Sequence, residues 1–209
     1  EAVVSGRIYG IALPMAETME QIQNADRIIT RLERERGLQP GAVKLLLLIE
    51  TALGVHRCYD LCVAARRVES VVFGSAEDGD LQRDLRSAFS IEGPELMYAR
   101  SKTLLEARAA KLPYVLDGAF SDIKNDDTLR RDCTVSKRLG YNGRTLIYPG
   151  QIAIARACYA PDPKDVAHYQ AVVKVFEDAE KQGLAAINYG GKLIDYAMYK
   201  KAKSFLEVV

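Results

Sequence analysis

The segment "LLLLIETALG", residues 45–54, places five apolar residues directly before a carboxylate, Glu50. A second segment, "VVFGSAEDGD" at 71–80, repeats the pattern, because a short apolar run again leads into acidic residues. Runs of this length that are apolar on both faces are typical of buried parallel strands. The two segments therefore predict successive strands of a parallel sheet, each ending in carboxylates.

The rest of the chain continues this alternation between short apolar runs and longer stretches with helical periodicity. Strands are predicted at 7–14, 43–50, 70–74, 113–118 and 144–149. Helices are predicted near 18–36, 55–66, 93–111, 127–139, 163–182 and 193–206, with a short helix after the fifth strand. Strands that alternate with helices indicate parallel pairing through crossover connections, so we expect an α/β fold.

The composition argues against two classes of partner. The chain has 209 residues, of which 48% are hydrophobic and 27% charged, with a formal net charge of +1. A nearly neutral chain has no general electrostatic attraction to nucleic acid or to an anionic membrane. No apolar run approaches the roughly 20 residues of a membrane-spanning helix. We therefore predict a protein without a nucleic-acid or membrane partner.

The four cysteines do not have the spacing of a zinc site. Two of them, Cys58 and Cys62, are four residues apart and are expected on one face of a helix; the others are Cys133 and Cys158. Buried free thiols are the favoured interpretation, and because they fit a reducing compartment we predict a cytoplasmic protein.

Acidic residues follow several of the predicted strands. They are Glu50, Glu77, Asp78, Asp80 and Asp117. Active sites of parallel α/β folds gather at the C-terminal ends of strands, although each acid could instead cap the next helix or face water. Mg²⁺ is often held by one or two carboxylates, with water and substrate oxygens completing its shell. The pattern predicts a Mg²⁺ site made by Glu50 and one acid of the 77–80 group.

Seven segments, in their order and spacing, resemble the citrate lyase β-subunit-like branch of the HpcH/HpaI aldolase family, and together they cover essentially the whole chain. They are "ALP" (12–14), "LLLLIETALGV" (45–55), "VVFGSAEDGDLQRDL" (71–85), "EGPELMYARSKTLLEARAA" (92–110), "VLDGAFSD" (115–122), "RLGYNGRTLIYPGQI" (138–152) and "GGKLIDYAMYKKA" (190–202).

The resemblance implies a TIM (β/α)8 barrel of the phosphoenolpyruvate/pyruvate type, followed by C-terminal helices. The family has three βα units before the segment that corresponds to "RIYGIALP", and this chain lacks them. We therefore expect 1–160 to be the last five βα units of a barrel in a longer protein. Residues 161–209 are then expected to form a helical extension that reaches a neighbouring subunit.

The resemblance also implies an activity. Family members cleave or form carbon–carbon bonds in 3-hydroxy acyl thioesters of the citryl-, citramalyl- or malyl-CoA type, using Mg²⁺. The expected partner is an acyl-CoA or acyl-carrier-protein thioester, and the expected assembly is a homotrimer or hexamer. Two alternatives stay open. One is a non-catalytic, degenerate homologue that serves as a subunit or binding partner, and the other is an aldolase acting on free 2-keto acids.

Site residues follow from the resemblance position by position. Glu50 matches the first metal carboxylate and so also lies where substrate binds. The second ligand is open between Asp78, favoured by the "AED" match and by its closeness to the strand end, and Asp80, favoured by the "DLQRDL" spacing. Asp195 matches an acid/base carboxylate that enters a neighbouring subunit's site, although it could merely cap the last helix. Tyr148, in "IYP", is expected near the rim of the substrate pocket.

The same chemistry can be argued from the residues. Cleaving a bond β to a thioester carbonyl builds enolate charge on oxygen, which a metal held by two carboxylates can stabilise. A separate carboxylate can move the proton. The chain has no phosphate-binding GxxxxGK[ST], no GxGxxG and no HExxH motif. On helix 93–111, Arg100 and Lys102 could approach a CoA phosphate, but a solvated face or an ion pair with Glu106 is favoured.

Overall fold

Five parallel strands form the main sheet. A computed structural model describes residues 2–207 of the chain. The strands are β1 (Gly10–Leu13), β2 (Lys44–Ile49), β3 (Val68–Phe73), β4 (Tyr114–Asp117) and β5 (Gly143–Arg144). They are hydrogen-bonded in the order β1-β2-β3-β4-β5, and every neighbouring pair is parallel. The predicted α/β class with a parallel sheet is confirmed, whereas the barrel remains a prediction because residues 2–207 supply five strands to this sheet.

Helices connect the strands. They are α1 (Met19–Glu35), α2 (Ala52–His56), α3 (Cys58–Val63), α4 (Asp80–Leu85), α5 (Pro94–Ala109), α6 (Asp126–Leu139) and α7 (Gln151–Tyr159). Helix α1 begins with a capping box, in which Thr18 and Gln21 each accept a hydrogen bond from the other residue's backbone N–H. The predicted helix at 55–66 is divided into α2 and α3, and α4 forms within the acidic segment.

The alternation of buried and partly buried residues along each strand shows which face of the sheet the side chains near its end occupy. In β2, the side chains of Leu45, Leu47 and Ile49 are fully buried in the main hydrophobic core, and the residues between them are only partly buried. Successive side chains of a strand point to opposite faces. Glu50, one residue after Ile49, is therefore directed away from the face that the core covers. In β4, Val115 is in this core, so Asp117 is on the core side.

The fifth strand is shorter than predicted. It comprises only Gly143–Arg144 and not 144–149, although the N–H of Thr145 still donates to the carbonyl of Asp117 at 2.9 Å. The following residues form a turn in which the N–H of Gln151 donates to the carbonyl of Tyr148 at 3.0 Å. The strand prediction was therefore too long at its C-terminal end, because the largely apolar residues 145–148 were assigned to the strand.

The four cysteines are free, as predicted. The Sγ atoms of Cys58 and Cys62 are 3.9 Å apart on α3, and both side chains are buried in the main core. Cys133 is buried, whereas Cys158 is only partly buried. The hydrogen bond with the Cys58 thiol, together with burial, raises the pKa of Cys62, so its thiol stays protonated.

A second compact unit follows, and the division falls between Tyr159 and Ala160. It contains α8 (Pro163–Glu180), the antiparallel strands β6 (Ala186–Tyr189) and β7 (Lys192–Asp195), and α9 (Tyr196–Leu206). Its own core comprises Val172, Phe176, Ile194 and Ala202.

The hairpin was not predicted, and it corrects the expected helix at 193–206, which begins only at Tyr196. Gly190 and Gly191 have φ values of +60° and +78° and form a two-residue turn of the kind that joins antiparallel strands. None of the helices in the described range is long and apolar enough to cross a membrane.

Candidate functional site

The ends of β2 and β3 are packed so closely that one position requires glycine. The N–H of Gly74, directly after β3, donates to the carbonyl of Ile49 at 2.9 Å. A Cβ atom added to Gly74 would lie 2.5 Å from the Cβ of Glu50, which no side chain tolerates. The "FG" of the sequence therefore allows the loop after β3 to rest against Glu50.

Glu50 is partly buried and oriented by a backbone group. Its Oε1 accepts a hydrogen bond of 2.9 Å from the N–H of Met15, a residue with φ +49°. Its Oε2 makes no hydrogen bond or ion pair with any residue of the described range. One carboxylate oxygen is therefore fixed and the other is available. Met15 contributes through its backbone, so the side chain at this position does not determine the contact.

The acidic segment after β3 separates the two candidate second ligands. Asp78 is exposed and has φ +53°, in the left-handed region, and its N–H donates to Gln82 Oε1 at 2.9 Å. Its carboxylate has no partner within residues 2–207. Asp80 is the first residue of α4, and its Oδ1 forms an ion pair of 2.5 Å with Arg83. Asp78 thus has a free carboxylate, whereas that of Asp80 is paired.

The acids at the strand ends do not all converge. In the part of the chain that the structure describes, no group of three or more His, Cys, Asp or Glu side chains could hold a metal ion. Asp117 is fully buried, and it accepts hydrogen bonds from Arg100, the N–H of Gly118 and the hydroxyl of Ser75. Asp117 is therefore part of a buried ion pair.

Arg100 belongs to a cluster of four buried or partly buried charges. Its Nε donates to Asp117 Oδ2 at 2.9 Å and its Nη2 donates to the same oxygen. Its Nη2 also lies 3.1 Å from Asp132 Oδ1. On the other side of Asp132, Nη1 of Arg144 approaches Oδ2 at 2.6 Å. Burial lowers the pKa of Arg100, but the carboxylates of Asp117 and Asp132 raise it by more than burial lowers it. The pKa therefore lies above its ordinary value, and Arg100 remains charged.

A cavity of about 180 Å³ lies beside this cluster. The Arg100 side chain is only 7% exposed and lines the cavity, and its Nη1 makes no hydrogen bond within the described range. Other polar lining residues are Ser75, Glu77, Ser90, Glu95, Ser121, Asp122, Asn125, Thr128, Asp132 and Arg144. Neither Glu50 nor Asp78 lines it. The loop after β3 contributes Ser75 and Glu77 to the cavity, and Gly74 of the same loop packs against Glu50. The carboxylates of Glu50 and Asp78 themselves lie outside the cavity lining.

The two basic residues on α5 that were considered as partners of a CoA phosphate lie in different environments. Lys102 forms the predicted ion pair with Glu106, at 2.6 Å. The solvated face predicted for Arg100 is wrong, because its guanidinium is buried against Asp117. Sequence analysis also missed Asp132 and Arg144 as members of this cluster. A charged residue inside the apolar run that follows Gly143 is the signal that could have identified Arg144.

Two tyrosines of the first compact unit, Tyr141 and Tyr159, are buried and partly buried, respectively. Tyr141 donates from its hydroxyl to the Arg100 carbonyl at 2.8 Å, and Tyr159 donates to Ser136 Oγ at 2.6 Å. Burial raises the pKa of both hydroxyls. Tyr148 is 46% exposed and does not line the cavity. Its expected contact with substrate stays a prediction.

Asp195 lies in the second compact unit and is exposed. It is the N-cap of α9, where its Oδ1 accepts a hydrogen bond of 2.9 Å from the N–H of Met198. The capping alternative is therefore observed. It does not exclude acid/base work, because Oδ2 makes no hydrogen bond within the described residues.

A family model and individual relatives assign the chain to the same protein family. Residues 1–149 match the family described as HpcH/HpaI aldolase/citrate lyase. The chain is 34% identical to citrate lyase subunit beta of Escherichia coli over 206 residues, which cover 99% of this chain and 67% of the relative. It is 26% identical to human mitochondrial citramalyl-CoA lyase, covering 98% of this chain and 62% of the relative.

Solved structures share the fold. A citrate lyase from Burkholderia xenovorans superposes with a TM-score of 0.78 at 23% identity, covering 95% of this chain and 62% of that chain. A protein named CitE from Mycobacterium tuberculosis, in complex with magnesium, acetoacetate and coenzyme A, has a TM-score of 0.70 at 21% identity, covering 96% and 68%. The chain thus spans roughly two thirds of the length of these relatives.

Proposed function

Because the chain belongs to the HpcH/HpaI aldolase/citrate lyase family, we propose that it acts as a Mg²⁺-dependent carbon–carbon lyase on a 3-hydroxy acyl thioester. The substrate is of the citryl-, citramalyl- or malyl type, carried on coenzyme A or on an acyl-carrier protein. Relatives named citrate lyase subunit beta and citramalyl-CoA lyase support this class of substrate.

The observation that carries the proposal is a pair of carboxylates at the ends of adjacent strands. Glu50 follows β2 and Asp78 follows β3, and each has at least one carboxylate oxygen without a partner among the described residues. Carboxylate oxygens are the hard ligands that Mg²⁺ prefers, and two are sufficient when water and substrate complete the shell. The residues present therefore fit the ion, with Glu50 and Asp78 as its ligands and Asp80 as the less favoured alternative.

Bound Mg²⁺ would supply Lewis-acid polarisation of the substrate carbonyl oxygen on which enolate charge develops. The chain's own residues prepare this site. The N–H of Met15 holds Oε1 of Glu50 in place. Because a carboxylate is planar, this contact also restricts the position of Oε2. Tyr148, partly exposed after β5, is proposed to contact the substrate.

Proton transfer is assigned to Asp195. In the cleavage direction it accepts the proton of the substrate hydroxyl while the carbon–carbon bond breaks, giving a carbonyl product and a thioester enolate. The same carboxyl then returns the proton to the enolate carbon, so no proton is gained or lost. We propose that Asp195 does this in the site of a neighbouring copy within a homotrimer or hexamer. We also propose that β1 to β5 are part of a TIM barrel of the phosphoenolpyruvate/pyruvate type.

One experiment with three variants tests these assignments. Glu50→Ala should lower Mg²⁺-dependent cleavage of citryl-, citramalyl- or malyl-CoA by about 100-fold or more, because even the outer-shell partners of metals contribute 10–100-fold. Asp195→Ala should bind Mg²⁺ normally and lose turnover. Glu20→Ala, which removes an exposed acid on α1, is the matched control and should keep full activity.

Mixing the first two variants adds the assembly to the test. If Asp195 serves a neighbouring site, mixed oligomers contain some sites with an intact Glu50 and an intact Asp195, and part of the activity returns. Subunit exchange is verified in the same samples by mass spectrometry with one isotope-labelled variant. Full activity of Glu50→Ala would contradict the metal site, and proven exchange without rescue would contradict the shared site.

A further inference from the structure

Helix α4 is hydrogen-bonded to both of the acid-bearing loops. Gln82 Oε1 accepts a hydrogen bond of 2.9 Å from the N–H of Asp78. Two residues later, Asp84 Oδ2 accepts one of 2.7 Å from the N–H of Ala52, which is two residues after Glu50. One short helix therefore holds the backbone of the loop after β2 and the backbone of the loop after β3.

The contact with Asp78 stabilises an unfavourable backbone conformation. A non-glycine residue in the left-handed region, such as Asp78 at φ +53°, costs about 1–2 kcal/mol. Such strain persists where the surroundings over-determine it, and it tends to occur at functional sites. Gln82 is only 3% exposed, so its amide is a fixed acceptor. Its Nε2 is buried without a partner in the described range, so within that range the side-chain amide is bonded only through Oε1.

The contact with Ala52 fixes the start of α2. Ala52 is the first residue of this helix, and its N–H is one of the donors that a helix cannot satisfy internally. The cap residue Thr51 satisfies a different donor, the N–H of Gly54, at 3.0 Å. Asp84 therefore secures the peptide next to Thr51, and with it the direction in which the chain leaves Glu50.

We propose that α4 is a brace that sets the separation of the Glu50 and Asp78 carboxylates, with Gln82 and Asp84 as positioning residues for the metal. The inference rests on the proposed function, because it takes these two carboxylates as the ligands. It assigns a role to two side chains that touch neither the metal nor the substrate. It also gives a role to the short helix that begins two residues after Asp78.

The test measures Mn²⁺ affinity of the full chain by isothermal titration calorimetry, since Mn²⁺ accepts the same oxygen ligands. Gln82→Met and Asp84→Ala should each weaken Mn²⁺ binding by about ten-fold or more, as outer-shell changes do. Asp84→Asn keeps an acceptor oxygen for the Ala52 N–H and should restore most of the affinity. That rescue would not follow from a loss of charge.

Gln151→Met is a matched control. Gln151 is 2% exposed, its Nε2 donates to the Phe120 carbonyl at 3.0 Å, and its Oε1 is a buried atom without a partner, so it mirrors Gln82. Both substitutions remove one backbone contact and one unpaired amide atom, and urea unfolding should show similar small changes in stability. Only Gln82→Met should change Mn²⁺ affinity.

Glu50→Ala and Asp78→Ala complete the set. If these two abolish Mn²⁺ binding while Gln82→Met and Asp84→Ala bind as tightly as the unsubstituted chain, the brace is wrong and the metal site stands. If Glu50→Ala and Asp78→Ala bind normally, or the unsubstituted chain shows no saturable binding, the metal site is wrong and the brace with it.

Discussion

Two clusters of arginine and carboxylate side chains are buried at opposite ends of the parallel sheet, and they differ in how completely the guanidinium is used. The Arg67 cluster lies where β2 and β3 begin, and the Arg100 cluster lies where β3, β4 and β5 end. The Arg67 cluster comprises Arg67, Glu33, Asp26 and Thr30. The Arg100 cluster comprises Arg100, Asp117, Asp132 and Arg144.

In the Arg67 cluster every nitrogen of the guanidinium is bonded. Nε donates to Asp26, Nη1 to Glu33 and to the carbonyl of Val43, and Nη2 to Glu33 and Thr30. Burial raises the pKa of Glu33, but hydrogen bonds from Arg67 and from two backbone N–H groups outweigh this and lower it to about 2. No donor of Arg67 is left for a ligand.

In the Arg100 cluster Nη1 makes no hydrogen bond within the described residues, and the residue Arg100 lines a cavity. Two buried charge clusters of the same sheet therefore differ in how completely the donors of their guanidinium groups are used. The Arg100 cluster differs by an unused donor on an arginine that lines a cavity. The difference agrees with the general division of parallel α/β folds, in which the N-terminal face of the sheet serves stability and the C-terminal face carries sites.

The largest effect is expected from replacing each arginine by lysine. Arg67→Lys should lower the free energy of unfolding by about 3 kcal/mol, because one ammonium cannot replace five directed hydrogen bonds to a buried carboxylate and its neighbours. Arg100→Lys should cost about half as much, since fewer bonds are lost. Urea denaturation followed by circular dichroism measures both. Equal losses would remove the distinction between the clusters.

A smaller and pH-dependent effect is expected for Glu33→Gln, about 2 kcal/mol at neutral pH. The folded-state pKa of Glu33 lies below its ordinary value of 4.5, so its stabilising contribution is complete above that value and is lost as pH falls towards 2. The difference in unfolding free energy between the two proteins should therefore shrink between about pH 4.5 and 2. Urea titrations at a series of pH values test this, and a constant difference would contradict it.

The smallest effects should come from two hydroxyls. Thr30 Oγ1 accepts from Arg67 Nη2 at 2.7 Å, so Thr30→Val should cost about 1 kcal/mol. Ser75 Oγ donates to Asp117 Oδ1 over 3.4 Å, a long bond, and Ser75→Ala should cost less than half of that. Thermal unfolding of the pair resolves the order. A larger loss for Ser75→Ala would mean that Asp117 depends on this hydroxyl.

The sequence predicted the sheet well because apolar periodicity is a local property. It was sufficient to identify the five parallel strands of the main sheet, although not the bounds of the fifth, and it left the choice between Asp78 and Asp80 open. The Arg100 cluster was beyond it, since Arg100 and Asp117 come together only through the packing of α5 on β4. Helix α4 was missed because acidic residues and a glycine suggest a loop, and the stabilising contacts of Gln82 and Asp84 lie outside the helix.

The β6–β7 hairpin limits how this part of the chain can change over evolutionary time. Its two-residue turn pairs Ala186 with Asp195 and so fixes the face on which the Asp195 carboxylate emerges. Inserting or deleting a single residue in β7 would shift the register by one and turn that carboxylate to the opposite face. The number of residues between the turn and Asp195 is therefore expected to matter more for the direction of this carboxylate than the identity of the exposed side chains along the same strands.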